Sequence, residues 1–339
     1  MSLAEKYTFE PNADLTSYNF WTDQVANFWT HHHFRFDLDR EHAKDPNVPE
    51  GIKRLIKILT GFFLVGDGLI AEDLIPLISK AIEEQNWPKA FGLIFQLSME
   101  NIHAAFYSKA LTIFPPEERE EILEWSLSLP CTQAKINWLH GRTDIKNSEG
   151  LDNIAMACGE GIFFISLFSA VYYIRKYGFF PDFIEGNEKI SGDESKHRDD
   201  KCAQAKKYLN PEEYSTSLEI VQDAVRVELL TVEEIFKQPV VPGRDEDSDF
   251  TSGNVTQYIY HLADDILVKC GLSKYYNVDM DKYSWPWLED INMSQKSNFY
   301  ERAVVNSYRV IDPSTVMKEA MGEEEDEDDA FDDLDNFDV

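Results

Sequence analysis

Leu55, Ile58, Leu59, Phe62, Phe63 and Gly66 recur at i, i+3, i+4 and i+7, the spacing that lines one face of an α-helix. The same period runs through almost the whole chain, and the period-two alternation of half-buried strands is scarce. Breaks fall at Pro46 and Pro49, at Pro115 and Pro116, at Pro130, Pro181 and Pro211, and in the loop QPVVPGRDEDSD from Gln238 to Asp249. The blocks between them are often longer than about twenty residues, and none repeats at a solenoid period. The pattern predicts an all-α chain built as one large bundle over residues 1–308. Beyond about Tyr308 the periodicity fades, and residues 309–339 are expected to form a flexible tail.

One block changes the picture. AMACGEGIFFISLFSAVYYI, Ala155 to Ile174, is long and apolar enough to cross a membrane, yet it carries Glu160 near its start. The other possibility is a buried core helix, in which an ionised carboxylate needs a partner because desolvation would otherwise neutralise it. With 339 residues, 43% of them hydrophobic, the chain can bury a sizeable core, and no other segment resembles a membrane protein's loops or anchors. A core helix is therefore expected, with no membrane contact. The four cysteines (Cys131, Cys158, Cys202 and Cys270) form no C-x-x-C pair, and no signal peptide opens the chain. A reducing, cytoplasmic compartment is expected, without disulfides. The formal net charge of −30 argues against nucleic acid, whose phosphates would repel the chain. Eleven of those acidic residues lie between Glu323 and Asp338, so the tail is strongly acidic.

The partner for Glu160 is sought in two segments of one pattern, Glu100-x-x-His103 and Glu194-x-x-His197. Residues i and i+3 share a helix face, so each pair presents an oxygen and a nitrogen side by side. Roughly one E-x-x-H would arise by chance in a chain this size, and the arrangement carries more weight than either match. Asp67, a carboxylate on the apolar face of FFLVGDGLI, precedes Glu100 by 33 residues, and Glu160 precedes Glu194 by 34. Carboxylate helix and E-x-x-H helix thus alternate twice, which is the known ligand inventory of ferritin-like di-metal carboxylate bundles. Four carboxylates and two imidazoles make a hard shell suited to iron or manganese, and the carboxylates balance the charge of two divalent ions. Taken singly, Asp67 and Glu160 could instead pair with Arg or Lys, and the histidines could be core residues.

At these residues the chain resembles the small, radical-generating subunit of class I ribonucleotide reductase. The resemblance runs from FWT at Phe28–Thr30 through GFFLVGDG, MENIHAAFY, GEGIFFISLFS, SGDESKH and DAVRVE to NFYER and the tail. It implies that Asp67, Glu100 and His103 hold one metal and Glu160, Glu194 and His197 the other, with Glu100 and Glu194 bridging. It implies two iron ions per chain, although the same ligand set serves di-manganese and mixed centres. Tyr107, on the face of Glu100 and His103, would be oxidised with O₂ to a stable radical. Phe164, Phe168 and Ile190 would shield it. Asp193 would join His103 to Trp29, linking the metal to the surface. Two features depart from the family pattern. Gly192 stands where many members carry arginine, which puts the support of Asp193 in question, and the run His31–His33 is read as a solvated segment.

The resemblance further implies a homodimer that passes its radical to a separate large subunit, which reduces the ribonucleotides. Docking would use the terminal peptide Asp332–Val339, with Leu334 and Phe337 as apolar anchors, and Tyr308 would relay the radical. Phe331 adds a third large apolar residue to a tail that a purely solvating role would not need. The chain has no Gly-rich phosphate loop and no spare cysteine pair, in keeping with that division of labour. A di-iron oxygenase or oxidase acting on its own organic substrate is the alternative within the same bundle, and a metal-storage or structural helical protein lies outside it.

Overall fold

The computed structural model describes residues 15–141, 148–243 and 249–282. Ten α-helices account for most of these residues: α1 (Leu15–Ala26), α2 (Asp37–Lys44), α3 (Glu50–Glu83), α4 (Trp87–Ala110), α5 (Pro116–Ser128), α6 (Pro130–Gly141), α7 (Glu149–Arg175), α8 (Pro181–Tyr208), α9 (Tyr214–Ile235) and α10 (Ser252–Lys269). No strand occurs among the described residues, as the hydrophobic period predicts. Prolines mark the starts because a first-turn proline has no N–H to lose. Pro116, Pro130 and Pro181 each open a helix, and Pro49 precedes α3. Polar caps serve two of the long helices: Asn86 accepts from Lys89 N at 3.2 Å, and Ser148 from Leu151 N at 3.3 Å. Pro76 does not break α3, which runs on to Glu83 without the hydrogen bond that residue 76 would give the Glu72 carbonyl. Tyr308 and Asp332–Val339 lie outside the described residues, as does the proposed boundary at 308.

Four long helices form a ring in which α3 packs on α4, α4 on α8, α8 on α7, and α7 back on α3. Helix α7 contains the membrane-length segment. It is enclosed: every residue from Asn153 to Ile174 is buried, because α9 and α10 cover the side that α3 and α8 leave open. Its apolar character all round follows from burial on all sides. A fully buried ion pair anchors its middle. Lys135 Nζ from α6 lies 2.7 Å from Glu228 Oε2 on α9 and also donates to the Phe163 carbonyl, while Ser166 N donates to Glu228 Oε1 at 3.1 Å. Removing one partner of such a pair leaves an uncompensated buried charge.

Helix α8 begins at a strained residue, Phe180, with φ 52°. Two buried or half-buried carboxylates secure this corner reciprocally. Asp39 on α2 accepts from Phe183 N at 3.2 Å, and Asp182 on α8 accepts from Arg35 N at 2.8 Å and Phe36 N at 2.6 Å. The α8 ligand pair and the segment after α1 are thereby tied together. Gly186 on α8 allows a close approach from α4, since a Cβ there would stand 2.1 Å from the Phe106 ring.

Candidate metal centre

The four ring helices each bring their carboxylate to one place. Asp67 comes from α3, Glu100 and His103 from α4, Glu160 from α7, and Glu194 and His197 from α8, all at most 2% exposed. Their ligand atoms fall into two groups, each with its atoms within 4.8 Å of one another: Asp67, Glu100, His103 and Glu194 in one, and Glu100, Glu160, Glu194 and His197 in the other. Glu100 and Glu194 belong to both, which is the placement of bridging ligands. Sequence spacing brings the i, i+3 pairs together, and the bundle brings the pairs to each other.

Whether ions fit can be read from the atoms that point inward. Both Asp67 oxygens, Glu160 Oε2, Glu194 Oε1 and His103 Nδ1 are buried without a hydrogen-bond partner. His103 Nδ1 and Glu194 Oε1 stand only 3.1 Å apart, yet they are not aligned as donor and acceptor. An unsatisfied buried polar group costs about 1–3 kcal/mol, so a cluster of them is a poor core and a good cation cage. A buried carboxylate and imidazole cluster on this fold suggests a di-metal site, and the donor set suits iron and manganese alike.

Outer contacts set the imidazoles. His103 Nε2 faces Asp193 Oδ2 at 3.3 Å, and His197 Nε2 faces Gln24 Oε1 at 3.2 Å, so both rings present Nδ1 to the centre. Gln24 is held by its own donation to the Gly92 carbonyl at 3.2 Å. One histidine thus leans on a carboxylate and the other on a neutral amide, which makes His103 the more electron-rich imidazole of the two. Trp29 Nε1 donates to Asp193 Oδ2 at 2.7 Å, and its ring stacks on His103 with centroids 5.8 Å apart. Trp29 is 3% exposed, so the chain from His103 through Asp193 ends on a buried tryptophan. Space beside Gly192 is open, and the second Asp193 oxygen takes its cation from Lys196, 3.4 Å away and one turn later on α8.

Tyr107 is fully buried one turn beyond His103. Its hydroxyl donates to Asn187 Oδ1 at 2.8 Å, and Asn187 Nδ2 donates to the Phe183 carbonyl at 2.7 Å, which settles the amide's orientation. Burial, with the Asp67 and Glu194 charges, pushes the phenol well above its ordinary range, so it stays neutral. The ring contacts are Phe63, stacked at 5.0 Å and 4°, together with Phe106 and Phe183 edge-on. Phe164 and Phe168 pack on Phe63 at 5.0 and 5.1 Å, forming a layer behind it, and Ile190 is buried in the same core. Sequence reasoning missed Phe63, Asn187 and Gln24. Phe63 could have been found one turn before Asp67 on the same face, whereas nothing in the sequence marks Gln24 or Asn187. Of the His31–His33 turn, His32 and His33 are exposed and His31 is half-buried.

Protonation couples to loading. Burial pulls His197 down, but the hydrogen bonds its protonated ring donates to Glu100 and Glu194 outweigh it and hold the imidazole at about 9, against 6.5 when unfolded. Burial, then Glu194 and Glu100, raises Glu160, and burial above all raises Asp67. A metal ion must displace the protons these groups carry. The raised His197 stabilises the metal-free chain fully below pH 6.5, and that contribution is lost as pH climbs through about 9. Between those values the metal-free melting temperature should fall while Mn²⁺ affinity rises, by up to about tenfold per pH unit for each proton displaced. Melting curves and anaerobic Mn²⁺ titrations at matched ionic strength check both signs. An affinity that falls over this window would contradict the assignment of His197 as a ligand.

Comparison with known proteins places these features. The profile of the family described as "Ribonucleotide reductase, small chain" matches residues 6–284. A ribonucleoside-diphosphate reductase small chain from Yaba-like disease virus is 30% identical over 302 residues, covering 88% of this chain and 89% of the relative. Among solved structures, the dimanganese(II) NrdF of Streptococcus sanguinis superposes with a TM-score of 0.68 at 18% identity, over 84% of this chain and 98% of the other. The Rnr4 homodimer of Saccharomyces cerevisiae gives 0.65 at 20%, over 85% and 89%. At these identities the structural likeness shows the fold, which is ferritin-like.

Proposed function

Since this chain belongs to the ribonucleotide reductase small-chain family and is the small subunit of a ribonucleoside-diphosphate reductase, we propose that its six buried ligands hold two metal ions beside Tyr107, the residue oxidised to a stable radical. When bound, the metal pair supplies the oxidising power, drawn from O₂, that removes a hydrogen atom from the phenol. The observation that carries the reading is the pair of ligand groups sharing Glu100 and Glu194, one turn from a buried tyrosine. The relatives are reductase small chains, which disfavours an oxidase acting on its own substrate. Iron is the metal that the family resemblance implies, and manganese or a mixed pair suits the donors equally.

The chain's own residues do the rest. Asn187 accepts the phenol's hydrogen bond and so fixes the direction of the hydroxyl but, as a neutral amide, cannot keep its proton. Phe63, Phe106 and Phe183 keep water from the ring. The Trp29, Asp193 and His103 chain offers a path for coupled electron and proton movement outward, with Lys196 balancing the Asp193 charge. A ribonucleotide reductase small subunit requires a large-subunit partner. The chain acts as a homodimer in the cytoplasm, the dimeric reading being supported by the yeast homodimer of the same fold.

Docking on the large subunit is assigned to Asp332–Val339, with Tyr308 as the relay. Deleting the residues after Gly322 is expected to leave metal content and radical yield unchanged while turnover with a class I large subunit is lost. A peptide of the last eight residues should compete with the intact chain. Full turnover by the truncated protein would place docking on the folded body. Aerobic Fe²⁺ loading followed by low-temperature EPR tests the function itself: a persistent tyrosyl signal is expected, and a silent protein that nonetheless oxidises an added organic substrate would favour the oxidase.

A further inference from the structure

Lys201 is a fully buried lysine on α8, one turn beyond His197, and the six-ligand set does not require it. Its ammonium donates to Gln96 Oε1 at 2.8 Å and to Asp200 Oδ2 at 3.1 Å, and it lies over the Phe20 ring, 5.6 Å from the centroid. Gln96 is buried on α4, one turn before Glu100. Its other end faces the ligands: Nε2 donates to Glu160 Oε1 at 2.7 Å and stands 3.5 Å from Glu100 Oε1. An ammonium can only donate, and a primary amide has one accepting end and one donating end. Lys201 therefore selects which way Gln96 points. A reversed amide would aim its oxygen at two carboxylates and its NH₂ at the ammonium, both repulsive in a low-dielectric interior.

We infer that Lys201 is a positioning residue of the metal centre: by locking the Gln96 amide it occupies Glu160 Oε1 and leaves Oε2 as the single atom free to bind an ion. The inference rests on the metal reading given above. Glu160 Oε2 is the oxygen without a hydrogen-bond partner, as this role demands. A carboxylate can otherwise shift between one and two bonds to a metal, and the relay removes that freedom at Glu160. The lysine's charge is balanced by Asp200, which also accepts from Gln204 at 3.3 Å.

The test is an anaerobic Mn²⁺ titration of the full chain, read by calorimetry and by EPR of the bound ions. It compares the parent with Lys201→Met, Gln96→Leu and the double variant. Lys201→Met should weaken one of about two ions by roughly 10- to 100-fold and alter the bound Mn²⁺ spectrum. Gln96→Leu should do the same, and the double variant should lose no more than Gln96→Leu alone, because the lysine acts through the amide. A further variant, Lys201→Met with Asp200→Asn, keeps the buried charge balanced, so the same loss in a well-folded protein supports the role. Parent-like affinity and spectrum in that variant, or losses that multiply in the Lys201 and Gln96 double variant, would overturn it. Failure of the unsubstituted chain to bind about two ions overturns the metal reading and this inference with it, and shows itself before any substitution is made.

Discussion

Glu100→Ala is expected to empty both metal positions, whereas His197→Ala should weaken mainly one. Glu100 belongs to both ligand groups and His197 to only one. Losing a ligand outright should cost at least the 10- to 100-fold that loss of an outer-shell partner typically costs, and for Glu100 that penalty falls on both ions. The substitution also leaves Asp67, Glu160 and Glu194 in a buried space with one shared oxygen donor fewer, so the remaining carboxylates repel without a bridging cation. Folding should survive, because the ring of α3, α4, α7 and α8 is packed by apolar contacts that Glu100 does not make. Metal analysis after loading and desalting, with circular dichroism as the folding control, checks the expectation. Two ions retained by Glu100→Ala would remove the basis for shared ligation.

The second large effect is that of Tyr107→Phe. The change deletes one hydroxyl and keeps the ring that stacks on Phe63, so metal content should stay at the parent level. Asn187 Oδ1 loses its donor, a buried acceptor left unsatisfied, which should lower stability by about 1–3 kcal/mol. The radical signal and reductase turnover should both disappear. The chain has fifteen tyrosines, and an unchanged tyrosyl spectrum in this variant would assign the radical to another of them. A smaller, informative change is expected from Asn187→Leu, which frees the hydroxyl from its fixed direction while leaving the phenol in place.

The helical class, the four long blocks and the six carboxylate and imidazole residues that cluster in the bundle were all legible along the chain. Each depends on short-range regularities: period 3.6, proline at a first turn, and glutamate three residues before histidine. The spacing of Asp67 to Glu100 and of Glu160 to Glu194 even set out the pairing of plain and E-x-x-H helices. What the chain by itself could not decide were contacts between residues far apart in number. Gln24 meets His197 across 173 positions, Tyr107 meets Asn187 across 80, and Lys201 meets Gln96 across 105, while the meeting of Trp29 with Asp193 across 164 was expected from the family resemblance alone. No local period encodes such meetings, since they depend on the angles and offsets at which α1, α4 and α8 pack. Glu160 is an intermediate case. Its own segment is long and apolar enough for a membrane span, the rest of the chain favoured a core helix, and the covering of α7 on every side by α3, α8, α9 and α10 bears that expectation out, because the burial of a helix is a property of its neighbours.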